Sequence, residues 1–239
     1  MTLRRIGYNM KLIALLILVA FSTAVPLFAA DKASADSVWC EQFDKAQKSG
    51  FPKNWSLEGT RLDIPNTVFA VRTDGDLSVL QVLCSKSTGG VVRKVKVDLQ
   101  KTPVLRWRWR VHTLPPGGDG RAWKTDDQPI AIYILARKNW FQNQALSYRW
   151  ETLTPKGYEG NIVYSKILDV RFVVLQNNQT AVGEWVTESR NIAEDFKRLF
   201  GWIPEEIALS ICGNSHHSQS DTVAEIDFIE FIPDRKNKK

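Results

Sequence analysis

The chain has 239 residues, 44% of them hydrophobic and 24% charged, with 32 Lys and Arg against 26 Asp and Glu for a formal charge of +6. That length allows one sizeable core, and the three cysteines are too few and too scattered for a zinc framework. The positive balance is concentrated at the two ends of the chain, so it carries little weight as a sign of nucleic-acid binding.

The chain opens with Arg4, Arg5 and Lys11, then the apolar run "LIALLILVAFSTAVPLFAA", then small residues. This is the order of a secretory signal peptide covering residues 1–35. Ala33-Ser34-Ala35 offers a cleavage site, with Ala29 and Ala30 as earlier options, so the cut is expected between 29 and 35. The alternative is an uncleaved anchor, because the run nearly reaches membrane-spanning length. No later segment is apolar enough to span, so no membrane association is expected after cleavage. Removal of the segment takes away four basic residues and one acid and lowers the charge from +6 to +3. The expected location is the periplasm or the outside of a bacterium. Cys40, Cys84 and Cys212 all survive into that oxidising space, and their spacing allows one disulfide with a free thiol, or none.

From there the sequence reads as strand after strand. Candidates are "SVWCEQF" (37–43), "TVFAVRT" (67–73), "LSVLQVLC" (77–84), "VRKVKVDL" (92–99), "LRWRWRVH" (105–112), "IAIYILA" (130–136), "LSYRWE" (146–151), "VRFVVLQ" (170–176), "IALSICG" (207–213) and "AEIDFIEFI" (224–232). Turn signals part them at "TDGD" (73–76), "STGG" (87–90), "TPKG" (154–157) and "QNNQ" (176–179). "IAIYILA" is apolar on both faces, as a central covered strand should be. One helix is predicted near 191–200: Asn191 caps it, Glu194 completes a capping box, and Ile192, Phe196, Leu199 and Phe200 form one stripe. Gly201 stands at the stop. The expectation is an all-β chain, an antiparallel β-sandwich or jelly roll of one domain over 36–233, followed by a basic tail at 234–239.

The charged candidates centre on residues 104–136. Strand alternation puts Leu105, Trp107, Trp109 and Val111 on one face and Arg106, Arg108, Arg110 and His112 on the other. Burying two indoles stabilises by about 1.5–3 kcal/mol each, so they should face the core. The arginines then form a column about 7 Å apart that needs carboxylates from neighbouring strands. Glu151 is one expected answer, since Arg149 and Glu151 share a face opposite Tyr148 and Trp150. The column reads either as a solvated ion-paired face or as a basic groove for an anionic polymer or glycan. In the second reading Trp123 stacks on a sugar.

Asp126 and Asp127 point opposite ways in an extended chain, so one is expected to pair with a strand arginine and the other to cap a turn. Asp44 or Glu41 from the first strand, with Asp227 or Glu230 from the last, are candidate ligands of a structural calcium. His216 and His217 with Asp221, and His112 elsewhere, are candidate transition-metal ligands, with a solvated loop as the alternative. No Ser-His-Asp, zincin, phosphate-cradling or dinucleotide motif is present, and no cofactor beyond the possible calcium is expected.

At "LRWRWRV", "DDQPIAIYI", "LSYRW" and above all "ESRNIAEDFKRLFG", the chain resembles a bacterial secreted family catalogued as domain of unknown function 3047, over roughly residues 39–232. The resemblance implies a galactose-binding-like sandwich with no established activity. The family pattern has an arginine after the aspartate pair and an Asp/Thr-rich segment before the last strand. Here those places hold Ala131 and "CGNSHHSQSD", so any ionic site built from them is altered. The functional expectation is a non-catalytic sandwich that binds a saccharide or another polar or anionic envelope polymer. The alternatives are a glycan hydrolase or lyase using Asp126 or Asp127 with an arginine or histidine, and a structural partner of an envelope protein.

Overall fold

In a computed structural model, which describes residues 39–165 and 167–234, the alternating stretches become two facing sheets. The predicted signal peptide and the last five tail residues lie outside the described residues. In chain order the strands begin with β1 (Cys40–Glu41), β2 (Ser56–Glu58), β3 (Val68–Asp74), β4 (Leu77–Ser85) and β5 (Thr88–Val95). Then come β6 (Val104–Thr113), β7 (Gln128–Arg137), β8 (Asn143–Trp150), β9 (Glu159–Ser165) and β10 (Leu168–Gln176). The last are β11 (Val186–Asn191), β12 (Ile207–Asn214) and β13 (Asp221–Ile232), with the helix α1 (Ile192–Phe200) before β12.

One sheet runs β11-β6-β13-β4-β3, with β1 also on β13, and the other runs β2-β5-β12-β7-β8-β10-β9. The long last strand serves two neighbours on one side: its first half pairs with β4 and its end pairs with β1. The second sheet departs from a purely antiparallel sandwich, because β8 and β10 are parallel. The chain leaves β8 and runs back as β9, and β10 then inserts between them, antiparallel to β9 and therefore parallel to β8.

The core between the sheets follows the predicted alternation. Trp107 and Trp109 are fully buried, their rings edge to face at 5.4 Å. Trp107 stacks on Tyr148 at 5.3 Å and Trp109 meets Trp150 at 5.8 Å, so the "WRW" and "YRW" stretches clasp the two sheets together. Rings in such geometry add about 0.5–1.5 kcal/mol per pair beyond the area they bury. Ile130, Ile132 and Ile134 of β7 join this core, while Ala131, Tyr133 and Leu135 belong to a second apolar cluster on the outer side of the same strand.

Helix α1 forms as its caps dictate. The Asn191 side chain accepts from the Glu194 N–H, and Gly201 takes a left-handed φ of 82° while its N–H bonds the Lys197 carbonyl. Phe196 is fully buried against the sandwich. Strands β2, β9 and β11 were not expected. β11 is the polar run "VTESRN", an edge strand half exposed along its length, which therefore lacks an apolar stripe to announce it. Cys40 is exposed and Cys84 and Cys212 are buried, all three without a disulfide.

Candidate functional site

The arginine column lies on the outer face of β6 and is fully answered from within the protein. Arg106 pairs with Glu230, Arg108 with Asp227 at 2.5 Å, and Arg110 with Glu225 at 2.6 Å and Asp74 at 2.7 Å. Arg108 and Arg110 also lie over the Trp185 ring, at 5.1 and 4.4 Å. His112 sits 3.0 Å from Glu225. Burial alone would raise the Glu225 pKa, but His112 and Arg110 hold its carboxyl below the usual range. Three guanidinium groups thus face four carboxylates, so this surface carries no excess of positive charge for an anionic polymer. Glu151 is not among the answering groups. β8 belongs to the opposite sheet, and the carboxylates come from β13, the true neighbour of β6.

The acids expected to share a calcium are distributed over the same region. Asp227 and Glu230 each hold an arginine, Asp44 is exposed after β1, and Glu41 accepts from Trp55 Nε1 at 3.1 Å and pairs with Arg93. Among the described residues no group of three or more His, Cys, Asp and Glu is arranged to hold a metal ion. His112 lies on the β6 face, where its partner is Glu225.

The other candidates do gather, at the end of the seven-stranded sheet where β7 and β10 begin and end respectively. Residues 114–127 fold into a tight loop: Thr125 Oγ1 donates to the Asp119 carbonyl at 2.8 Å, and Trp123–Thr125 form a 3-10 turn. The loop descends onto Arg149 and Glu151 because residue 120 is glycine. A Cβ there would stand 2.7 Å from Glu151 Oε1 and 3.2 Å from the Arg149 guanidinium. The Gly120 N–H donates to Glu151 Oε2 at 3.1 Å and to Thr154 Oγ1 at 3.0 Å.

Beneath the loop, Arg149 is fully buried. It donates to Asp126 at 2.5 Å, to Glu151 at 3.4 Å and to the Tyr133 hydroxyl at 3.2 Å, and lies over Phe172 at 4.2 Å. Burial pushes the Glu151 carboxyl up to about 7, with Asp126 adding repulsion and Arg149 opposing it. Arg149 and Glu151 therefore belong to a buried network, not to an open groove. Ala131, where the resemblance expects arginine, is the cross-strand neighbour of Arg149. An arginine there would set a second cation beside the first.

Asp126 and Asp127 divide as alternation requires. Asp126 binds Arg149, whereas Asp127 turns away and accepts the backbone N–H groups of His217 at 3.1 Å and Ser218 at 2.6 Å. That capping fixes the 215–220 loop, and the His217 ring then meets Trp123 edge to face at 6.1 Å. Trp123 is 58% exposed, with Lys124 Nζ 5.7 Å from its ring centroid. So Trp123 and Asp127 converge, linked by His217, and Arg108 does not join them. Tyr133 and Thr154 were not foreseen as members. The one signal for Tyr133 was a hydroxyl within an otherwise apolar strand.

The family model described as "Protein of unknown function (DUF3047)" matches residues 53–230. Among solved structures, the xyloglucanase domain of NopAA, a type three effector from Sinorhizobium fredii in complex with cellobiose, is 12% identical with a TM-score of 0.43, over 84% of this chain and 100% of that one. The native family 12 xyloglucanase from Bacillus licheniformis is 9% identical with a TM-score of 0.42, over 83% and 100%. Winged bean acidic lectin complexed with methyl-α-D-galactose is 13% identical with a TM-score of 0.41, again over 83% and 100%. Likeness at these scores carries no argument about function. No curated protein matches the chain.

Proposed function

The chain belongs to the protein family of unknown function DUF3047, and we propose that it is a secreted or periplasmic, non-catalytic β-sandwich that holds a saccharide chain at Trp123. The observation that carries this reading is a half-open indole on a loop pinned from both sides. Gly120 anchors the loop to Glu151, and Asp127 fixes the His217 backbone beside it. A flat apolar ring held in place stacks on the C–H face of a sugar without losing the freedom of a mobile side chain. Lys124, beside the ring, favours a sugar carrying carboxylate groups. The signal-peptide reading of residues 1–35 supports the location.

The carboxylates do not favour hydrolysis. Asp126, Asp127 and Glu151 are all buried, and each is engaged by a guanidinium or by backbone N–H groups. A general acid must reach its substrate.

The test is affinity electrophoresis and calorimetry with cellohexaose and with an oligogalacturonate, on wild type and Trp123→Ala. Wild type should bind one of these probes, and the alanine variant about tenfold or more weakly with its melting temperature unchanged. Equal binding by both proteins contradicts the proposal.

A further inference from the structure

The opposite end of the seven-stranded sheet carries a different surface. There β7 stops at Arg137, β8 starts at Asn143, β10 starts at Leu168 and β12 starts at Ile207, so the topology gathers their loops together. Trp140 and Phe141 form the tip of the β7–β8 turn and are 73% and 80% exposed. Ile167 and Ile203, on the adjoining loops, are 42% and 41% exposed. The tip is built, not loose. Lys138 N–H donates to the Gln142 carbonyl at 2.9 Å, and the Phe141 N–H is capped by Asn139 Oδ1 at 2.9 Å. Trp202 braces the turn, its Nε1 donating to Gln144 at 2.6 Å and its ring lying 4.7 Å from Lys138 Nζ.

Two adjacent aromatic side chains projecting from a rigid tip are costly in water, and soluble proteins seldom leave such a cluster without a partner. The composition fits one kind of partner. Tryptophan favours the boundary between headgroups and acyl chains, and cations beside it meet lipid phosphates. The turn carries Arg137 and Lys138 and no acid through Asn143, and Lys96 is exposed on the loop after β5. Glu205 and Glu206 precede β12, and the register puts Glu206 level with Arg137. The surface is therefore aromatic first and only weakly cationic.

We infer that this end of the sandwich is a lipid-surface docking site. Trp140 and Phe141 enter the headgroup–acyl boundary, Ile167 and Ile203 rest on it, and Lys138 faces phosphates, while Glu206 stands level with Lys96. The Trp123 end then points away from the membrane. Because the charges nearly balance, docking depends weakly on salt.

The whole chain includes an apolar leader of its own, so the deciding readout is local. Wild type and Trp140→Phe are mixed with vesicles of equal parts phosphatidylethanolamine and phosphatidylglycerol, with plain or brominated acyl chains. The emission contributed by Trp140, taken as the difference between the two proteins, should fall by about half on brominated vesicles. Phe141→Asp should need about tenfold more lipid for the same quenching. Val182→Ser, an exposed apolar change elsewhere, should behave as wild type. Trp140 emission that bromine does not touch, or quenching indifferent to Phe141→Asp, overturns the inference. Sedimentation showing that these residues instead pair two copies of the chain does the same.

Discussion

Glu151 is the residue at which strand and loop are joined, and its protonation sets a measurable pH dependence. A carboxyl held up to about 7 in the folded state, against a usual 4.5, binds its proton more tightly folded than unfolded. Its stabilising share is therefore complete below about 4.5 and is lost as pH rises towards 7, by at most about 3 kcal/mol. Asp119 has the opposite sign. Arg121 lowers its pKa to about 2, so its share is present above 3.8 and is lost only in acid. Thermal unfolding between pH 4.5 and 7 should show a decline in stability that is missing from Glu151→Gln, whatever the absolute stability of that variant. The same slope in both proteins would show that Glu151 ionises normally. Much at this scale was legible beforehand. The period-two pattern of residues 105–112 hides the indoles and turns the arginines outward because each side chain's face follows from position alone. The partners of those arginines were not legible, since which strand lies beside β6 is decided by folding across more than a hundred residues.

At the scale of elements, α1 was the most readable part because its signals are local: a side-chain cap, an apolar stripe and a glycine stop. Asn191→Ala should cost about 1 kcal/mol through the lost bond to the Glu194 N–H. Gly201→Ala should cost about as much, through the left-handed conformation at φ 82°. Urea unfolding measures both, and an unchanged midpoint for either would show that tertiary contacts, not caps, define the helix ends. β9 and the parallel β8–β10 pair were illegible for the converse reason. Nothing in "EGNIVYS" states that a later strand will insert beside it. Gly160 marks the place afterwards, because a Cβ there would stand 2.2 Å from the Phe172 ring that covers Arg149.

For the whole molecule, the topology creates two unlike ends on one sheet. Long loops, buried charge and one fixed indole occupy the first, while a short aromatic turn occupies the second. The sandwich itself was foreseeable from alternation, but this polarity was not, because it depends on which strand ends coincide. It also moves the proposed binding surface from the arginine column, which neutralises itself, to the loops around Trp123. The most direct measurement is the set of tryptophan indole N–H resonances during titration with cellohexaose or an oligogalacturonate. The account predicts that the Trp123 signal moves with the probe while that of Trp185, under the arginines, stays in place. Movement of Trp185 with Trp123 unchanged would contradict it.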